Sequence, residues 1–358
     1  MSTKVGTATI TGSPSGRSAK LAESAKPKRR SGTGTLRGMP PAQRAPNSPP
    51  KWPNTGELAR VIIAESLAPA ARPPELTPGQ IINGYTILKK VGEGGDGIIY
   101  RAKDPQGDEV ILKVSRPGRI GRLLAEIVTR RRSGVREFWE DVLGFLSPGV
   151  LVLKPINGPT LEEFSLKSPE KITPTFVLNL LSQIAIKLIE HGDTHGDLSF
   201  KNIMLEQLDN GGFRVLPIDF GTSMVARAFT TLGMRKAIGT IAFLSPESTR
   251  GEKPTPKVDV YALGMMLAML ICKRRPFFIP KGTVIGNPNS FAIAKRARGI
   301  SFTPPLTQKK FIEAVGDQAL GEDLFFFFET MTIKEPEERL SLACVDQTSR
   351  NLLKKHQL

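Results

Sequence analysis

Cysteine and long apolar runs are both scarce in this sequence, and each shortage excludes a class of protein. The two cysteines, Cys272 and Cys344, form no CxxC pair, which excludes a disulfide framework and a zinc site built on cysteine pairs. The longest apolar run, Val258–Cys272, contains Asp259 and falls short of the ~20 residues of a membrane-spanning helix. With no transmembrane segment and no apolar signal-peptide core, the sequence predicts a soluble, cytoplasmic protein.

Acidic residues are scarce in the first eighty positions. This segment has twelve Lys or Arg residues, twelve of the 29 prolines and only four acids. It buries too little apolar surface to offset the entropy lost on ordering, so residues 1–80 are predicted to be a disordered basic tail, with one short helix at 55–72. The KPKRR cluster at 26–30 leaves two interpretations: a solvated cationic tail, or an address for export, an organelle or the nucleus.

From Ile81 onward, short β-like stretches come first and longer helical stretches follow. Strands are predicted at Tyr85–Val91, Ile98–Ala102, Glu109–Ser115 and Leu151–Pro155, with a helix at Arg122–Arg132. Apolar residues then recur every three or four positions over 174–191, 256–272 and roughly 308–332. This order predicts an α+β fold of two lobes, a small antiparallel-sheet lobe followed by a larger helical one.

A glycine-rich turn joins the first two predicted strands. Its sequence is Val91-Gly92-Glu93-Gly94-Gly95-Asp96-Gly97-Ile98-Ile99. Glycines let the backbone N–H groups approach phosphate oxygens closely. A dinucleotide-binding fold would need a helix directly after the turn, whereas the β-branched Ile98 and Ile99 continue a strand. The motif is therefore interpreted as a hairpin that covers a nucleotide.

One lysine, Lys113, lies among apolar residues inside the third predicted strand. A buried ammonium needs an anionic partner, and phosphates together with a carboxylate would supply it. Glu126 is the preferred carboxylate because it lies beside the apolar stripe of the next predicted helix, with Glu137 and Glu140 as alternatives.

Two further motifs carry side chains suited to phosphoryl transfer. They are His195-Gly196-Asp197-Leu198-Ser199-Phe200-Lys201-Asn202 and Ile218-Asp219-Phe220-Gly221. An aspartate can accept the proton of a hydroxyl, and the oxygens of asparagine and aspartate are ligands that suit Mg²⁺. Together with the turn and the lysine, these motifs predict a site for a nucleotide and Mg²⁺.

These four motifs, in this order, make residues 82–355 resemble the eukaryotic-type protein kinase family. The resemblance implies an N-lobe at 82–153, a C-lobe at 157–355 and phosphorylation of protein Ser/Thr residues. Asp197 would be the catalytic base and Asn202 and Asp219 the magnesium ligands. Lys113, paired with Glu126, would bind the α- and β-phosphates of ATP.

The same resemblance assigns a hinge and an activation segment. Leu153-Lys154-Pro155-Ile156 aligns with the hinge, where the Lys154 carbonyl and the Ile156 N–H would bind adenine. Gly239–Glu247 resembles the segment that closes the activation loop, and the Thr240 hydroxyl would brace the catalytic aspartate. Asp259 is similar to the acid that anchors the catalytic loop, and Arg339 to the ion-pair partner of Glu247.

Three residues depart from the family pattern. Gly196 replaces the arginine that normally needs an activation-loop phosphate, which predicts activity without that phosphate. Ser199 replaces a lysine, and Lys201 is expected to neutralise the transferred phosphate instead. Ile111 stands where a small alanine normally covers the adenine.

Two other functions and one partner surface are also considered. A pseudokinase would keep the fold and signal by binding, and a small-molecule phosphotransferase would lack the Gly239–Glu247 segment and Arg339. The arginine-rich stretch 116–136 is either a solvated surface or a docking site for an acidic partner. Specific nucleic-acid binding is not expected, because aromatic residues do not alternate with the basic ones there.

Overall fold

The structure is a computed structural model, and it describes residues 75–94, 97–116, 142–146, 149–209, 211–220, 222, 226, 239–273 and 306–358. Residues 1–74 of the predicted disordered tail, which include the helix predicted at 55–72, and the helix predicted at 122–132 lie outside these residues. Within the described part of the chain, no helix is long and apolar enough to cross a membrane.

An antiparallel six-stranded sheet, in the order β1-β2-β3-β4-β6-β5, forms the first lobe. Its strands are β1 Ile81–Ile82, β2 Tyr85–Glu93, β3 Gly97–Lys103, β4 Glu109–Ser115, β5 Val142–Leu146 and β6 Val150–Leu153. Alternate residues such as Tyr100, Leu112 and Val152 are buried in a core on one face. Ile111 and Lys113 flank Leu112 on β4. Because successive side chains of a strand point to opposite faces, both project from the face opposite this core.

Leu76 to Gln80 are attached to this sheet. The Leu76 N–H donates to the hydroxyl of the fully buried Tyr100 at 3.0 Å. Gly79 and Gln80 exchange backbone hydrogen bonds with Ile87, at 2.8 and 2.9 Å. The boundary predicted between tail and domain at residues 80–82 stays a prediction, but contacts with the sheet begin before it.

In its described residues, the second lobe is helical apart from one hairpin. Its helices are α1 Leu161–Lys167, α2 Pro174–His191, α3 Pro246–Thr249, α4 Pro256–Cys272, α5 Gln308–Val315, α6 Gln318–Thr332 and α7 Leu342–Lys355; the hairpin consists of β7 Ile203–Gln207 and β8 Phe213–Pro217. The helices predicted at 174–191 and 256–272 are confirmed, and so is the α+β fold of two lobes.

The helical pattern predicted over roughly 308–332 is confirmed, and the chain forms two successive helices there. Gly316 ends α5 in the left-handed conformation, with φ of 73°, and its N–H bonds the Ile312 carbonyl. Asp317 then caps α6 by accepting the Leu320 N–H at 2.8 Å. A glycine followed by a capping aspartate ends one helix and begins the next without interrupting the apolar periodicity.

The core of this lobe surrounds α4, which is buried along almost its whole length. Leu181 and Ile184 of α2 and Leu324 and Phe327 of α6 belong to the same core. Each such side chain contributes about 1.5–3 kcal/mol on burial, so the lobe is a rigid base for the segments between its helices. The hydroxyl of Ser182 also donates to Asp346, which joins α2 to α7 at 2.5 Å.

Candidate active site

The glycine-rich hairpin, residues 91–99, joins β2 to β3 at the edge of a cavity. The two sides of the turn are joined by a hydrogen bond from the Gly94 N–H to the Gly97 carbonyl at 2.9 Å. Gly97 is required by close packing, because an added Cβ would overlap the carbonyl oxygen of Val114 on β4. Gly95 and Asp96 lie outside the described residues.

The cavity has a volume of about 300 Å³ and is bounded by both lobes. Its apolar lining consists of Val91, Ile99, Ile111, Leu153, Ile156, Met204 and Leu216. Its polar lining includes Lys113, Glu163, Lys201 and Asp219. The cavity therefore offers an apolar surface for a flat ring and cations for an anionic group.

The predicted hinge lies along this cavity. Leu153, Lys154 and Ile156 all line it, and Leu153 pairs with Ile111 across the sheet. Sequence reasoning did not assign Met204 and Leu216. Met204 could have been found from its strand, since it lies between the fully buried Ile203 and Leu205 and must face the other way.

Lys113 is 8% exposed, as expected for a lysine inside a strand. Its ammonium donates to Oδ1 of Asp219, which gives the buried charge an anionic partner. The two residues are 106 positions apart and join the lobes. Glu126, the partner predicted for Lys113, lies outside the described residues, so that pairing stays a prediction.

Asp259 holds the segment that precedes Asp197. Asp259 is 1% exposed, and its two oxygens accept the N–H groups of His195 and Gly196 at 2.8 and 2.9 Å. The His195 Nε2 lies 2.7 Å from the Ile218 carbonyl, and its Nδ1 accepts the Asp197 N–H at 3.3 Å. These two contacts specify the neutral tautomer with hydrogen on Nε2.

Asp197 is held through both its side chain and its own backbone. Its Oδ1 accepts the backbone N–H of Thr240 at 2.6 Å, and its own carbonyl accepts Nδ2 of Asn202 at 2.8 Å. The contact described for Thr240 therefore comes from the backbone, whereas the sequence pointed to its hydroxyl.

The donor set at Asn202 and Asp219 fits a magnesium ion. Because Nδ2 of Asn202 is bonded to Asp197, the atom of that side chain able to bind a cation is Oδ1. The Asn202 carbonyl accepts the Ile218 N–H at 2.9 Å, which places Asn202 beside Asp219. An amide oxygen and a carboxylate are hard ligands, and Mg²⁺ usually takes only one or two protein ligands in addition to water and phosphate.

Arg339 forms a buried ion pair with Glu247. Their contacts are 2.7 and 3.0 Å, and the residues are 2% and 4% exposed. Burial acts to raise the pKa of Glu247, but the hydrogen bonds and charge of Arg339 outweigh it and hold that pKa below its ordinary value. The pair fixes the end of the Gly239–Glu247 segment against the helical lobe.

Two cations named from the sequence have acidic neighbours. Lys201 has a side chain 72% exposed and lies 3.9 Å from Glu162. Arg116, the first arginine of the 116–136 stretch, contacts Glu93 in the glycine-rich hairpin at 2.6 Å. The other arginines of that stretch lie outside the described residues.

Comparison with known proteins agrees with this geometry. The protein kinase domain family model matches residues 85–350. The chain is similar to the serine/threonine-protein kinase PrkC of Bacillus subtilis, with 28% identity covering 70% of this chain and 40% of the relative.

It is also similar to the probable serine/threonine-protein kinase PkwA of Thermomonospora curvata, with 30% identity covering 56% of this chain and 28% of the relative. For the serine/threonine-protein kinase PkaA of Streptomyces coelicolor the identity is 28%, over 54% of this chain and 39% of the relative. The chain thus spans less than half the length of each relative. Because the family model matches most of its residues, the chain belongs to the protein kinase domain family.

Proposed function

We propose that the chain is an ATP- and Mg²⁺-dependent protein kinase that transfers the γ-phosphate to serine and threonine hydroxyls of protein substrates. The observation that carries this proposal is the chain of contacts beside one cavity. Lys113 binds Asp219, the residue next to Asp219 is bonded to Asn202, and Asn202 is bonded to Asp197. The names of the relatives, all serine/threonine-protein kinases, favour the same acceptor groups.

Each of these residues has its own part in the proposed reaction. Lys113 binds the α- and β-phosphates, and the oxygens of Asn202 and Asp219 hold the metal. Bound ATP·Mg²⁺ supplies the phosphoryl group and part of the positive charge that stabilises its transfer. Asp197 accepts the proton of the substrate hydroxyl, and the Thr240 N–H holds its carboxylate in place.

Adenine would lie in the apolar part of the cavity. Its edge would bond the Lys154 carbonyl and the Ile156 N–H, while Ile111 covers one face of the ring. Lys201, exposed at the cavity, would neutralise the phosphate during transfer.

The ion pair between Arg339 and Glu247 favours a protein substrate over a small molecule. The pair fixes the Gly239–Glu247 segment, which a small-molecule phosphotransferase would not need. Retention of Lys113 and Asp219 in contact likewise favours catalysis over a pseudokinase that signals only by binding.

A magnesium titration tests the proposed metal ligands. Asp219→Asn keeps the size of the side chain but removes the charge that faces the ion. We expect the parent protein to bind ATP more tightly with Mg²⁺ than without it, and the variant to show almost no difference, by isothermal titration calorimetry. Asp209→Asn, a change at an exposed aspartate in the β7–β8 turn, is the matched control. An equal magnesium effect in Asp219→Asn and the parent would refute the assignment.

Phosphatase treatment tests regulation at Gly196. This position has no side chain that an activation-loop phosphate would neutralise. We expect phosphatase-treated protein to keep most of its kinase activity, and Thr230→Ala/Thr231→Ala to match the parent in initial rate. A treated sample that loses most of its activity, relative to a mock-treated one, would show that another cation needs the phosphate.

The basic segment before the domain is proposed to set location or partner choice. Its excess of Lys and Arg over acids suits an address for the nucleus, an organelle or export, or attraction to an acidic partner. The arginines after Arg116 would extend that attraction to the N-lobe.

A further inference from the structure

Both carboxylate oxygens of Glu93, in the glycine-rich hairpin, are bound by cations. Oε1 accepts Nη2 of Arg116 at 2.6 Å, and Oε2 accepts the ammonium of Lys90 at 2.8 Å. The hydrogen bond from Lys90, with the charges of Lys90 and Arg116, lowers the pKa of Glu93. Glu93 is therefore ionised at neutral pH and attracts both cations.

Arg116 makes a second contact to the next residue of the hairpin. Its Nε donates to the Gly94 carbonyl at 3.1 Å, and its side chain is 16% exposed. Arg116 directly follows β4, the strand that carries Lys113. One guanidinium thus ties a side chain and a main-chain carbonyl of the hairpin to the strand that also presents the buried ammonium.

The two described glycines at this end of the hairpin, Gly92 and Gly94, have open space beside them. An added Cβ at either position would meet no described atom within 4 Å. Lys90 reinforces the polar link, because the same ammonium also binds Glu75 at 2.8 Å. These polar contacts therefore hold the described hairpin end in addition to its pairing with β3.

We propose that Arg116 is a positioning residue that holds the glycine-rich hairpin in its nucleotide-binding position through Glu93 and the Gly94 carbonyl. This inference rests on the proposed function, since the ligand that the hairpin would meet is the phosphate chain of ATP. A hairpin held in place loses less conformational entropy on binding, which favours affinity. Arginine suits this task because its planar fork can bond two acceptors at once, whereas lysine presents a single ammonium.

Nucleotide binding to full-length variants tests this role. We expect Arg116→Gln to raise the Kd for ATP·Mg²⁺, measured by calorimetry, by about three- to tenfold. This is the range for losing one partly exposed ion pair and one charged hydrogen bond. KM for ATP should rise in parallel while kcat changes little. Arg116→Lys should lie between parent and Arg116→Gln. The double variant Glu93→Gln/Arg116→Gln should lose less binding free energy for ATP·Mg²⁺ than the sum of the losses in the two single variants.

Arg250→Gln is the matched control, because Arg250 forms an exposed pair with Glu252 at 2.6 Å away from the cavity. It should leave Kd, KM and kcat at the parent values. An unchanged Kd in Arg116→Gln, in a parent that turns over ATP, would overturn the positioning role. If the parent binds ATP but transfers no phosphate, and Arg116→Gln binds ATP more weakly than the parent, the positioning role is supported and the proposed function is refuted. A parent that binds no ATP would refute both.

Discussion

Asp197→Asn is expected to lower kinase turnover by about 10²–10⁴-fold, the range for losing a general base. The amide cannot accept the proton of the substrate hydroxyl, whereas the aspartate carboxylate can. Asparagine retains an oxygen that can accept the Thr240 N–H, the contact that Asp197 makes at 2.6 Å. Turnover should therefore fall while the affinity for ATP stays near that of the parent, measured by steady-state kinetics and calorimetry.

The control for this change is Asp209→Asn, which alters an exposed aspartate on the same lobe. That variant should match the parent in both turnover and affinity. Parent-like turnover in Asp197→Asn would remove Asp197 from the role of catalytic base. Equal melting temperatures of the three proteins would show that the loss comes from chemistry rather than from unfolding.

Arg339→Met is expected to lower the free energy of unfolding by about 3–5 kcal/mol, because removal of one partner leaves a buried charge without compensation. The guanidinium also donates to the carbonyls of Ile333, Lys257 and Lys334 at 2.8, 2.8 and 3.1 Å. Urea unfolding checks this loss. Arg350→Met is the matched control, since Arg350 is 61% exposed in its pair with Asp346 and should cost at most about 1 kcal/mol.

The same pair sets a pH dependence. The pKa of Glu247 is lowered from its ordinary 4.5, so folding favours the ionised carboxylate. Its contribution to stability is present above about pH 4.5 and is lost as the pH falls through the folded-state pKa. The difference in stability between parent and Arg339→Met should therefore narrow in acid.

A second variant separates the ion pair from the packing around it. Arg339→Met/Glu247→Met removes both charges, and it should be less destabilised than Arg339→Met alone. If Arg339→Met unfolds at the urea concentration of the parent, the pair does not hold the segment in place.

Local patterns predicted the elements of the fold well, because strand alternation and helical periodicity depend only on residues that are close together in the sequence. The strand at Glu109–Ser115 and the helices at 174–191 and 256–272 have the predicted bounds. The break at Gly316 was missed, since apolar spacing continues across it and only the left-handed backbone conformation separates the helices.

The contacts of the site were less accessible to sequence reasoning. The motifs named Lys113 and Asp219, but their mutual contact joins residues 106 positions apart and depends on how the lobes approach. The Thr240 contact is made by a main-chain N–H, which no side-chain pattern reveals. Arg116 looked like one member of a basic stretch, and its contact with Glu93 appears only when β2 and β4 lie in the same sheet.

Phosphosite mapping tests the central claim, transfer of phosphate to protein hydroxyls, most directly. The purified parent and Asp197→Asn would be incubated with ATP, Mg²⁺ and casein, and the products examined by mass spectrometry. Phosphoserine and phosphothreonine should accumulate on casein or on the chain itself with the parent, and hardly at all with Asp197→Asn. A parent that binds ATP but leaves both proteins unmodified, or that phosphorylates them equally well without Asp197, would contradict the claim.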